Sequence, residues 1–133
     1  MKSFILIGAI FISFQSLAAG LVCVAKNTAP SVLQIKATVI GIIGLQNIEI
    51  VHTTNLGAVT LAKASYVIKD TTFNSKTFMG YTRFNFLGSD RISKYSLILP
   101  NEYFRPSISA FISYFFNEDR RSRSLEAMVC KHQ

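Results

Sequence analysis

VLQIKATVIG, residues 32–41, alternates from one position to the next. Leu33, Ile35, Ala37 and Val39 fall on one face, and Gln34, Lys36 and Thr38 on the other. A period of two is the signature of a half-buried strand, because successive side chains of extended backbone point to opposite faces. The period recurs along the chain. In 47–54, NIEIVHTT, Ile48 and Ile50 oppose Asn47 and Glu49, and in 61–70, LAKASYVIKD, Ala62, Ala64, Tyr66 and Ile68 oppose Lys63, Ser65 and Lys69. In 77–87 Phe78, Phe84 and Phe86 share a face, and in 93–99 Tyr95, Leu97 and Leu99 do. In 107–116, SISAFISYFF, Ile108, Ala110, Ile112, Tyr114 and Phe116 form the apolar face and Ser107, Ser109 and Ser113 the polar one. The stretch 124–132 is less regular, and Leu125 and Glu126 suit a helical turn as well as a strand.

Between these runs lie 26–30, 43–47, 54–57, 87–90, 99–106 and 117–124, rich in Gly, Pro, Asn, Asp and Ser. Such residues supply bends and positive φ. Short strands at intervals of about 8–15 residues predict an all-β fold, a small antiparallel β-sandwich or barrel of about seven or eight strands. No long helical period is present, which argues against alternating strands and helices.

The first twenty residues, MKSFILIGAIFISFQSLAAG, read as a signal peptide. Lys2 supplies the positive start, Phe4 to Phe14 the apolar run, and Ser16 to Gly20 a polar break with small residues. Cleavage after Ala18, Ala19 or Gly20 fits the small-residue rule. The expected organisation is therefore a signal peptide, 1–19, and a single β domain, 20–133. The mature chain loses one positive charge from the full chain's +7 and keeps +6. A retained anchor over 4–25 would be long enough to span a bilayer, but Gln15 and Ser16 interrupt it. A lipid-bearing Cys23 would need a small residue where Val22 stands. The expected location is exported, periplasmic or secreted.

An oxidising compartment lets disulfides persist. The two cysteines, Cys23 and Cys130, stand near opposite extremities of the mature chain, and two cysteines allow one intramolecular pairing. A Cys23–Cys130 disulfide would tie the first strand to the last. Free thiols or a metal or redox pair are the alternatives, but no C-x-x-C occurs and His132 is a weak partner hint.

Chemistry is sparse. His52 falls in phase with Ile48 and Ile50, the serines of 107–113 read as a strand's polar face, and the carboxylates are scattered. Neither a nucleophile elbow nor a phosphate-binding glycine loop occurs. No catalytic, cofactor-binding or metal-binding residue is expected, no cofactor is implied, and the chain is read as non-enzymatic. Two features suggest contact surfaces. The loop bracketed by Pro100 and Pro106 holds Tyr103 and Phe104, either folded back over the end of the domain or presented to a partner. Arg120, Arg121 and Arg123 cluster beside Glu118 and Asp119, either as a solvated hairpin loop or as a patch for an anionic surface.

The expected role is an envelope or secreted binding module with weak affinity for anionic surfaces. Its partners would be an envelope component, anionic lipid or polysaccharide, or another protein, with peripheral membrane contact included. Nucleic acid is disfavoured by location and by the lack of aromatics among the arginines. The rival is a structural or assembly subunit that pairs through an edge strand. An inhibitor of a basic lysozyme is disfavoured by like charge.

Overall fold

The computed structural model describes residues 18–25, 31–105, 107–118 and 123–133. Eight strands form it: β1 Ala18–Ala25, β2 Val32–Ile40, β3 Gly44–Thr54, β4 Gly57–Ile68, β5 Tyr81–Leu87, β6 Lys94–Pro100, β7 Ala110–Glu118 and β8 Arg123–His132. They make one antiparallel sheet in the order β4-β3-β2-β1-β8-β7-β6-β5. Each strand pairs with its neighbour in sequence, and β1 also pairs with β8. The result is an up-and-down meander curled into a nearly closed barrel, one sheet rather than the two of a sandwich. The 124–132 stretch is strand, not helical turn.

The seam lies between β4 and β5. Two main-chain bonds bridge it among the described residues: Asp70 N donates to Arg83 O at 2.9 Å, and Ser89 N donates to Leu61 O at 2.8 Å. The expected signal peptide falls largely outside the described residues. Ala18 and Ala19 form the first rungs of β1 with β2, opposite Ile40 and Val39, whereas the β8 ladder begins at Leu21. Cleavage after Ala19 would therefore remove two rungs to β2 and none to β8.

The interior is packed with side chains from every strand, among them Leu21, Ile35, Val39, Ile50, Phe84, Leu97, Phe115 and Met128. Tyr95 and Phe115 stack inside it with centroids 5.4 Å apart. The alternation read in 32–41 holds: Leu33, Ile35, Ala37 and Val39 all point inward. In β4 it fails half-way, since Tyr66 and Ile68 are exposed while Val67 packs on the core. The cause is on β3. Asn47 has φ 50°, and the pairing with β2 slips between Lys36↔Glu49 and Thr38↔Gln46. An extra residue in one strand shifts all later side chains by one position. Leu45 and Ile48 are thus both inward, and β4, in register with β3, follows with Val67 and Ala64.

In β7 the expected faces are reversed. Ser113 is 0% exposed and faces the core with Phe115, whereas Ile112 and Tyr114 face outward. The disulfide explains this. Cys23 and Cys130 are directly opposed across β1 and β8, are bonded, and both point inward. Register then turns Phe111, Ser113 and Phe115 of β7 inward beside Cys130, Met128 and Glu126. The Ser113 hydroxyl lies 2.8 Å from Cys130 Sγ. Two sulfurs occupy the volume there, and a small side chain fits where an isoleucine would crowd them.

Candidate functional site

The alternating strand directions give the barrel an entry end, where β1 begins, and a far end. The entry end carries the connectors 41–43, 69–80 and 101–109. The far end carries the turns 55–56 and 88–93, and there β1 and β7 end and β2 and β8 begin.

Tyr103 and Phe104 lie at the entry end. Tyr103 is 1% exposed and seals the barrel there, its ring edge-on to Phe84 at 5.4 Å and to Phe104 at 5.8 Å. Its buried hydroxyl has no hydrogen-bond partner. Burial, with a smaller push from Tyr66, raises the phenol to about 12. The loop therefore folds back over the core, and Tyr103 is unavailable as a surface contact. Phe104 is half-buried against the same core.

Of the arginine cluster, Arg123 begins β8 at the opposite end. Arg120 and Arg121 fall outside the described residues. Arg123 is exposed and pairs with Glu118 at 3.3 Å. Tyr103 and Phe104 are thus separated from Arg123 by the length of the barrel.

A groove runs along the outer face of β5, β6 and β7. Its entry-end half, about 400 Å³, is walled by the 72–78 segment and floored by Ile98 and Phe116, with Arg83 and Ser96 at its centre. A second half of about 400 Å³ continues past Asn85 and Lys94 to Glu118. Outside the barrel, then, a small second core forms. Phe78, Tyr81 and Tyr114 cluster with centroids 5.1–6.0 Å apart. Phe78, expected in a strand beside Phe84, instead sits in the connector before β5.

Asp70 holds this connector to the barrel. It accepts from Thr72 N and Oγ1, from Arg83 Nε and Nη2, and from Asn85 Nδ2. The Arg83 guanidinium also lies 4.7 Å over the Phe73 ring. The Thr72 hydroxyl first, then Arg83, depress the Asp70 carboxyl far below the usual carboxylate range. A carboxyl depressed in the fold contributes stability above its unfolded value of 3.8. That contribution is lost as pH falls through its folded value. Asp70→Asn is expected to lower stability by about 1–2 kcal/mol at pH 7 and to flatten the loss of stability below about pH 4. Urea unfolding at pH 7 and pH 3 checks this: equal differences between wild type and variant at the two pH values would refute it.

No known protein family, curated protein or solved structure matches this chain. Residues alone must carry any functional reading. At the far end a cavity of about 260 Å³ is lined by His52, Asn117, Ser124 and Glu126 among others. His52 is in phase with Ile48 and Ile50, as its sequence position implies. Sequence reading missed this convergence, because Glu126 stood in a stretch of mixed period. It also missed the Asp70 node, whose partners lie 13 and 15 residues away across a long connector. Asp90, also at the far end, is held low chiefly by the Ser93 hydroxyl and accepts from the amides of Ile92 and Ser93. Among the described residues no three His, Cys, Asp or Glu side chains gather to hold a metal ion.

Proposed function

We propose that this is an exported, non-enzymatic binding module drawn to anionic surfaces of the cell envelope. The observation that supports it is the excess of 14 basic over 7 acidic side chains, with Arg120, Arg121 and Arg123 clustered within four positions of the sequence. Of these three, Arg123 lies within the described residues, exposed at the start of β8 and paired with Glu118. The +6 expected for the mature chain adds a general attraction to anionic polymers and lipids. The disulfide suits an oxidising compartment, in keeping with export to the periplasm or the medium.

Each basic residue near an anionic surface is worth about 1 kcal/mol, decaying within a Debye length of about 8 Å at physiological salt. Glu118 already engages Arg123, so three arginines should yield less than their sum. The exported protein should sediment with peptidoglycan and with anionic vesicles at low salt and release as salt rises. Changing Arg120, Arg121 and Arg123 to Ser should weaken this by roughly ten- to a hundredfold. Equal binding by wild type and variant, or none by either at low salt, overturns the reading.

The seam favours a second reading, an assembly subunit. β4 and β5, strands of 12 and 7 residues, are bridged among the described residues by two main-chain bonds that each run from a flanking connector, which leaves edges able to pair with another chain. Sedimentation at micromolar concentration separates the two readings, since a module is monomeric and a subunit is not.

A further inference from the structure

Toward the far end the inward faces of the barrel turn polar. On β7 the inward residues run from Phe115 to Asn117, and on β8 from Met128 through Glu126 to Ser124. Phe115 stands opposite Glu126, and Asn117 opposite Ser124. On β3, His52 continues the inward face of Ile48 and Ile50. β3 and β7 are four places apart in the order of eight strands, so His52 and Asn117 line the cavity from opposite walls. Leu33, Leu61 and Phe115 give it an apolar floor, and its volume is about 260 Å³.

Two acceptors in this cup are unsatisfied. Glu126 Oε2 and Asn117 Oδ1 are closed off from solvent and have no hydrogen-bond partner among the described residues. Buried polar atoms are nearly always paired, and a glutamate seldom turns inward without a counter-charge. β8 nevertheless holds Glu126 inside and leaves Leu125 outside, 52% exposed. Core packing alone would ask for the reverse. The inward disulfide fixes the register of β8, but it does not require an acid at 126. The two orphan acceptors sit diagonally on neighbouring strands, near enough for one multi-donor group to reach both.

We propose that the cup binds a small organic cation, an ammonium or guanidinium group on a short carbon chain. The head donates to Glu126 Oε2 and Asn117 Oδ1, and the carbon chain lies on Leu33, Leu61 and Phe115. Among the described residues no lysine or arginine lines the cup, so an anion would meet the Glu126 carboxylate unscreened. A bare metal ion would leave the apolar floor unused. Barrel mouths commonly hold ligand sites, and pockets for drug-sized molecules measure about 300–1,000 Å³. A cavity just below that range takes a smaller molecule or a single side chain. The site lies inside the barrel and is independent of any attraction of the outer surface to anionic polymers.

The cationic head has two sources, a free amine or a lysine side chain of another chain, and two probes separate them. Butylammonium represents the first and Nα-acetyl-lysine methylamide the second, with pentanoate as an anion of similar size. Each is titrated into the protein while backbone and side-chain amide resonances are followed by nuclear magnetic resonance. Fragments this small bind in about the millimolar range. Saturable shifts centred on His52, Asn117, Ser124 and Glu126 are expected with a cation and not with pentanoate. Shifts with butylammonium assign a free amine, and shifts with the lysine amide alone assign a side chain. Glu126→Gln keeps the shape and removes the charge. It should weaken binding roughly ten- to a hundredfold, the worth of a charged hydrogen bond, without loss of stability in urea. Glu118→Gln alters an exposed carboxyl at the same end, paired with Arg123, and should bind as wild type does. Absence of saturable shifts with both cations overturns the proposal, because water would then satisfy the two acceptors. Equal binding of pentanoate, or equal weakening by the two variants, overturns it too, since contact would then be apolar or diffusely electrostatic. The wild-type shift map decides the matter by itself should Glu126→Gln not fold.

Discussion

Replacing Cys23 and Cys130 together by alanine is expected to cost about 4–5 kcal/mol of stability. The bond joins residues 107 apart, and the chain-entropy model gives about 4.7 kcal/mol for a closed loop of roughly 100 residues. Small domains have a total stability of about 5–15 kcal/mol, so the variant should be marginal or unfolded at 37 °C. The location of the bond adds to its effect. It joins β1 to β8, the one ladder that connects the two halves of the meander apart from the sparse seam. Urea unfolding with and without the bond measures the cost. Both sulfurs are 0% exposed, so intact mass should show no alkylation until the protein is denatured and reduced. Two alkylatable thiols in the unreduced protein would refute the prediction.

Tyr103 should give opposite results with two substitutions. Tyr103→Ala removes a fully buried ring that packs on Phe84 and Phe104, and a loss of about 3–5 kcal/mol is expected for such a truncation. Tyr103→Phe removes only a hydroxyl that is buried and unpartnered. Leaving such a group unmade costs about 1–3 kcal/mol, so the phenylalanine variant should be as stable as wild type or about 1 kcal/mol more stable. The raised phenol gives a second readout. A group whose folded value is raised contributes stability that is full below its unfolded value of 10.0 and declines as pH rises toward about 12. Wild type should therefore weaken above pH 10, and the phenylalanine variant less so. A phenylalanine variant destabilised by more than about 1 kcal/mol would show that the hydroxyl has a partner, such as a buried water, and would sink the argument.

Strand content and the cysteine pairing were legible because both depend on local or counting arguments. Alternation in 32–41 and 93–99 marks strands whichever neighbours they find, since the pleat itself sets the period. Two cysteines near the chain's extremities leave one pairing, and the loop-closure term rewards the longest loop. The prolines of 99–106 also marked that stretch as a connector. Which end it occupies depends on the number of strands before it, which follows only once the strands are placed.

Tertiary structure decided the rest, for reasons no window of sequence contains. The chain forms one curled sheet rather than two packed sheets because β1 pairs with β8, a contact between residues more than a hundred positions apart. The inner face of β7 is set by the disulfide on β8, which turns Ser113 inward and leaves Ile112 and Tyr114 outside. Either face of ISYFF is apolar enough to be core, so periodicity could not choose. The later face of β4 is set by Asn47 on β3, because a bulge in one strand resets the phase of its registered neighbour. Asp70 meets Arg83 and Asn85 only when the connector from β4 folds back over β5. Sequence by itself thus determined which segments are extended and which cysteines bond. The faces, the ends and the grooves depend on register between distant strands, and register is a property of pairs rather than of segments.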